Sequence, residues 1–147
     1  MPELYHTGHH KAGATYAAVE RILVFGGKDH SQGEIMNISV FNKRPLLETP
    51  RLLLRPVHVD DIPMVFAFNA DLETLRYVPR EPYRNLDEAL EKVAGFSKGF
   101  KEQKGIWWTY VLKETGQSIG YGGLFDVDVA CSKAEIGYGT LSEYWGQ

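Results

Sequence analysis

Cysteine is almost missing: the 147 residues hold one, Cys131, so no internal disulfide can staple the chain. That suits a reducing compartment, and the cytoplasm is the expected location. Excess charge of one sign is also missing. A net charge of −3 gives no global positive field to gather nucleic acid, and no long block of like charges marks a polyelectrolyte tail. No apolar run approaches the length of a bilayer span. The opening "MPELYHTGHHKAG" lacks the apolar core of a secretory signal. Neither nucleic acid nor a membrane is therefore an expected partner. No long internal repeat is present, since "FGG" at 25–27 and "YGG" at 121–123 are too short to count as one.

What remains is an ordinary soluble composition, with enough chain for one domain with its own core. The pattern changes near residues 42–50. Before that point, "ATYAAVERILVFGGKDHSQGEIMNISVFN" predicts two strands, at about 14–25 and 35–41, split by a Gly-rich turn. "KRPLLETP" has prolines near both ends and reads as a linker. These features predict a boundary between residues 1–45, an N-terminal extension, and residues 46–147, the main domain.

Within that domain, "RLLLRPV" (51–57) predicts a strand. Asp60 or Asp61 is a candidate helix cap, with Pro63 tolerated in the first turn. A break at 69–71 and a second short helix to Val78 follow. "PREPYR" (79–84) predicts loop. Asn85 is placed to cap a helix over about 86–101, in which Leu86, Leu90, Val93, Phe96 and Phe100 fall near helical spacing. Gly95 and Gly99 each weaken it by about 1 kcal/mol, so fraying of its second half is expected. Three strands come next, at about 106–114, 118–129 and 134–141, joined by the turns "ETGQ" and "ACSK". The expected fold is α/β (α+β), an antiparallel meander with helices packed on the sheet.

Several residues invite chemistry. Glu135 reads either as a buried general base able to take the proton of an ammonium, or as an edge carboxylate pairing with Lys133. Tyr138 and Trp145 are candidates for a substrate pocket or plain core aromatics. Trp107 and Trp108 are adjacent on a strand and must face opposite ways, so one is expected in the core and the other toward a groove. His6, His9 and His10 lack a completing Cys or carboxylate cluster, and no metal is expected.

Four stretches in order, "LLETPRLLLRPVHVDDIP", "LRYVPREP", "WWTYVLKETGQSIGYGGL" and "AEIGYGTLSEYWGQ", resemble the GNAT acetyltransferases, in the branch of the ribosomal-protein N-acetyltransferases. The likeness runs from about Leu46 to Gln147. It implies transfer of acetyl from acetyl-CoA to a primary amine, either a protein N-terminus or a small-molecule amine, by direct attack and without a metal. It also implies that strand backbone near Thr140 and Leu141 bonds the pantetheine arm. Gln147 would be the first position of a Gln/Arg-x-x-Gly-x-Gly/Ala loop whose N–H groups hold the pyrophosphate at a helix start. By that likeness the chain spans the N-terminal portion of the fold, and acetyl transfer by a polypeptide that stops at Gln147 is expected to be impaired.

A second, shorter likeness lies in "RILVFGGKDHSQGEIMNISVFN", which resembles part of a kelch repeat across 14–42. It spans less than one blade, and a lone blade cannot bury its face. Met36 as the true start would make the upstream residues spurious. The competing functions are thus a non-catalytic kelch-like interaction segment and a truncated product without function.

Overall fold

β-branched and aromatic residues separated by short polar turns build an antiparallel ladder in the computed structural model, which describes residues 38–78 and 80–147. The chain runs through strands β1 (Leu47–Glu48) and β2 (Leu52–Pro56), helices α1 (Ile62–Ala70) and α2 (Leu86–Lys101), then strands β3 (Ile106–Leu112), β4 (Ser118–Asp128) and β5 (Lys133–Thr140). The five strands form one sheet in the order β1-β2-β3-β4-β5, every neighbouring pair antiparallel. The meander and the helix over 86–101 are as the sequence predicts, with strand ends moved by one or two residues.

Two apolar clusters lie on opposite faces of the sheet. Val57, Met64, Val65, Ala89, Val93, Phe96 and Tyr121 join α1 and α2 to one face. Phe41, Leu54, Ile106, Trp108, Tyr110, Ile119, Leu124 and Val127 form the other. A register shift in β4 beside Tyr110 and Val111 puts Ile119 with the second group although Tyr121 belongs to the first.

Local chemistry explains the departures from expectation. The supposed linker holds β1. Thr49 receives the Leu52 N–H on its hydroxyl and donates its own N–H to the Leu52 carbonyl, closing a tight turn that returns β1 onto β2. Residues 38–41 are a 3-10 turn, Ile38–Phe41, where a strand was expected. Phe41 is drawn down onto Phe100, with ring centroids 5.7 Å apart, and Arg44 stacks over the same ring. The kelch-like likeness therefore gains no support from its described end, and residues 14–37 of it lie outside the described residues.

Asp61 stands at the N-cap position of α1 as expected, but its side chain makes no cap bond there. His58 caps the 3-10 turn Val59–Asp61 that leads into the helix, while the Asp61 side chain turns inward to Arg55. The second short helix is a 3-10 turn, Thr74–Tyr77. Asn85 does cap α2, accepting the Glu88 N–H at 3.2 Å. That helix is continuous through Gly95 and Gly99 to Lys101 rather than frayed, because Ala89, Val93 and Phe96 hold its inner face on the sheet.

Candidate active site

β5 is the edge of the described sheet, and its ladder fixes which backbone groups are free. Leu141 N–H donates to the Ile119 carbonyl at 2.8 Å. The register continues through Tyr121↔Gly139 and Gly123↔Gly137, which makes these the hydrogen-bonded pairs. The residues between them, Ile136, Tyr138 and Thr140, consequently turn their N–H and C=O groups outward, away from β4. One outward group is engaged: the Trp145 indole donates to the Thr140 carbonyl at 3.0 Å. The outward side of β5 thus offers evenly spaced donors and acceptors to an extended, amide-bearing chain.

After β5 the chain makes a 3-10 turn at Ser142–Tyr144. The Ser142 hydroxyl donates to Asp71 at 2.6 Å, and Thr74 donates to the same carboxylate oxygen at 2.7 Å. These bonds, the Ser142 one first, hold the Asp71 carboxyl below the usual aspartate range. They tie the loop after α1 to the end of β5. The Gln147 amide donates to the Glu143 carbonyl at 3.2 Å.

The face of β5 turned to the helices carries glycines at 137 and 139. A Cβ at Gly137 would meet Phe125 and Trp107 at 3.2 and 3.3 Å, and one at Gly139 would meet Phe68 at 2.6 Å. Aromatic rings therefore lie directly across the strand. Phe96 and Trp107 stack at 4.5 Å, and Phe68 meets Tyr121 edge-on at 4.9 Å. Tyr121 exchanges hydrogen bonds with Asn69, hydroxyl to side-chain oxygen at 3.1 Å and side-chain nitrogen to hydroxyl at 3.0 Å. Burial, partly offset by Asn69, pushes the Tyr121 phenol up to about 12, so it is neutral at physiological pH.

The residues singled out from sequence are placed unevenly on this framework. Trp108 is not a groove residue: it is 1% exposed on the far face, its indole donating to the Pro45 carbonyl at 2.8 Å. Trp107 faces the helices, half-buried in the aromatic cluster. Glu135 is exposed, opposite Phe125 in the ladder, and is not the buried carboxylate that the general-base reading required. Tyr138 and Trp145 are exposed beside the β5 edge. Thr140 lies on the outward side of the ladder. Leu141 does not: its N–H bonds Ile119 and its carbonyl accepts the Tyr144 N–H, so its backbone is committed within the chain. Among the described residues no three His, Cys, Asp or Glu side chains gather as a metal site would need, and no helix is long and apolar enough to cross a membrane.

Sequence reasoning missed Arg80 and Lys92. Arg80 lies in the loop between the helices, with its guanidinium carbon 5.6 Å from the centre of the Tyr83 ring. Lys92, on α2, sets its ammonium 5.3 Å from the Phe96 ring centre and 6.0 Å from that of Tyr121. No spacing rule links a loop arginine to a lysine on the buried flank of a helix, and only the fold brings them together.

Comparison with known proteins shows what this meander, with two helices on one face and an outward-bonding strand at its edge, is similar to. The family model for the acetyltransferase (GNAT) domain matches residues 51–147. The uncharacterized N-acetyltransferase YoaA of Bacillus subtilis (strain 168) is 32% identical over 101 residues, covering 69% of this chain and 57% of that protein. The uncharacterized N-acetyltransferase p20 of Bacillus licheniformis is 27% identical over the same length and shares. Among solved structures, the spermidine N-acetyltransferase of Vibrio cholerae, in complex with CoA and spermine, superposes with a TM-score of 0.57 at 21% identity, covering 67% of this chain and 56% of that one. The ribosomal L7/L12 alpha-N-protein acetyltransferase RimL gives 0.60 at 15% identity, covering 70% and 56%. The chain belongs to the GNAT acetyltransferase family. It spans somewhat more than half the length of the relatives it matches.

Proposed function

We propose that this chain contributes the acetyl-CoA-binding strand and part of the acceptor site of an N-acetyltransferase that acts on a primary amine. The observation that carries this reading is the outward row of backbone groups on β5. Ile136, Tyr138 and the Thr140 N–H are arranged to bond the amides of an extended pantetheine arm. Acetyl-CoA would supply the activated acetyl group. The chain's own work is to hold that arm in register, to keep water from one flank of it with the aromatic cluster, and to bring the amine beside the strand.

Residues 46–147 are the transferase portion under this reading, with residues 40–45 packed onto it. Tyr138 and Trp145 would flank the arm at the edge, and Trp107 would stiffen the acceptor side from within. Gln147 would lead into the pyrophosphate-binding turn. Glu135 remains as a carboxylate at the mouth, exposed enough to pass a proton through water. The cytoplasm, where acetyl-CoA and reduced thiols coexist, is the proposed location.

Isothermal titration with acetyl-CoA, followed by mass-spectrometric detection of acetylated amines, tests the reading. Saturable binding that is lost in Thr140→Pro, which removes one outward donor, is expected. A titration without saturable heat, or one that Thr140→Pro leaves intact, would count against it.

A further inference from the structure

Arg80 and Lys92 are two cations set against neighbouring aromatic rings, Arg80 by Tyr83 and Lys92 by Phe96 and Tyr121. The ammonium of Lys92 lies over Phe96 and Tyr121. Burial first, and then the positive charge of Arg80, hold Lys92 below the ordinary lysine range. Arg80 also acts electrostatically on Tyr121 and Tyr83. Two like charges drawn together on a low-dielectric surface repel, and each loses hydration.

The aromatic rings, and a hydrogen bond between the Arg80 guanidinium and the Tyr121 hydroxyl, offset part of that cost, but no carboxylate does. Neither cation has a carboxylate within ion-pair distance among the described residues. Glu88 and Glu91 on α2 act on Tyr83, and Glu88 accepts the Arg84 N–H. The Arg80 Nε is buried and has no hydrogen-bond partner among the described residues. A buried guanidinium N–H without a partner is uncommon, because its lost hydration is not replaced.

The place of the pair is equally specific. Tyr121, the ring beneath Lys92, is in the ladder directly opposite Gly139 of β5. It is gripped by Asn69, whose own carbonyl accepts the Tyr83 N–H at 2.9 Å. Lys92 therefore stands on the helix side of the sheet, over a β4 ring that neighbours the strand whose outward edge is assigned above to the pantetheine arm.

We propose that Arg80 and Lys92 recognise a carboxylate carried by the acceptor, so that the amine acetylated belongs to an amino acid or an acidic peptide rather than to a polyamine. This rests on the reading of β5 as the acetyl-CoA strand. Arg80 supplies the planar fork that matches a carboxylate, and Lys92 supplies a point charge beside it. The floor of Phe96, Trp107 and Tyr121 excludes water and strengthens both contacts. A polyamine brings further cations and would be repelled from this corner.

The test uses isosteric pairs that differ by one charge: glycine against glycinamide for a free amino acid, and Ser-Asp amide against Ser-Asn amide for a peptide side chain. Spermidine is the cationic control. Each is titrated by calorimetry into the chain and into Arg80→Gln, Lys92→Gln and Arg80→Lys, with thermal unfolding confirming that the variants fold. The carboxylate member of at least one pair should bind about tenfold tighter than its amide, as one charge-assisted contact provides. Both Gln variants should erase that preference, Arg80→Lys should keep part of it, and acetyl-CoA binding should stay unchanged in all three. The pair that shows the preference tells free amino acid from peptide.

Equal binding of acid and amide in both pairs would overturn the proposal, as would spermidine binding as tightly as the acids. A loss of acetyl-CoA affinity in the Gln variants would also overturn it, by assigning the cations to the coenzyme's phosphates. If the wild-type chain shows an Arg80-dependent carboxylate preference but no acetyl-CoA binding, the anion site stands and the transferase reading falls. The reverse pattern leaves the transferase reading standing and removes the carboxylate.

Discussion

Arg55 grips Asp61 with two parallel hydrogen bonds, both 2.7 Å, across the junction between β2 and α1. The Asp61 side chain is 1% exposed and also accepts the Thr109 hydroxyl at 2.8 Å and the His58 N–H at 2.8 Å. The carboxylate thus fixes the entry to α1 against β3. Burial alone would raise its pKa, but the bonds from Arg55, His58 and Thr109 together hold it below the usual aspartate range. A depressed folded-state pKa stabilises the protein above the unfolded aspartate value, near pH ~4, and that contribution is lost as pH falls through the folded value.

Asp61→Asn should therefore destabilise the fold by about 3 kcal/mol at neutral pH, since it strips a partly buried arginine of its counter-charge. The same substitution should flatten the fall in stability on acidification. Urea unfolding at neutral and acid pH measures both. A variant that unfolds at the wild-type midpoint would show that the pair contributes no net stability.

The Asn69–Tyr121 exchange predicts a coupled pair. Tyr121→Phe leaves the buried Asn69 side-chain oxygen without its donor, which costs about 1–2 kcal/mol. Asn69→Ala strands the tyrosine hydroxyl and opens a small void, for about 2–3 kcal/mol. The double variant should cost less than the sum by about 1 kcal/mol. A strictly additive cycle would mean that the two side chains do not depend on each other.

Gly139→Ala should cost about 1–3 kcal/mol, because the new methyl would press on Phe68, itself held edge-on against Tyr121. Phe68→Leu in the same chain should recover part of the loss by relieving the contact. Equal stability of the Gly139→Ala chain and wild type would show that Phe68 has room to move.

The meander and α2 were legible in the sequence because their signals are local: alternation over 106–128, the turns "ETGQ" and "ACSK", and an Asn85 cap ahead of a helical apolar stripe. β1 was hidden because two prolines resemble a linker, and only the Thr49–Leu52 turn and the Trp108 bond to Pro45 make it a strand. The sequence shows the place of Asp61 before α1, which suits a cap, but not the arginine that pulls its side chain inward. Trp107 and Trp108 had to face opposite ways, yet which was core depended on the partners each face met. Arg80 and Lys92 carried no motif, since a site assembled from a loop and a helix flank exists only after folding. Thr140 and Leu141 looked equivalent, and the ladder separates them, one outward and one committed.

That separation gives the most direct measurement. Amide hydrogen exchange of β5, resolved by residue with NMR, should be recorded without acetyl-CoA and at concentrations that bring the calorimetric titration to its plateau. The account predicts new protection at the outward amides of Ile136, Tyr138 and Thr140, with Gly137, Gly139 and Leu141 little changed because their N–H groups already bond β4. Exchange at Ile136, Tyr138 and Thr140 that stays as fast with acetyl-CoA as without it would contradict the assignment of β5 as the coenzyme-binding strand.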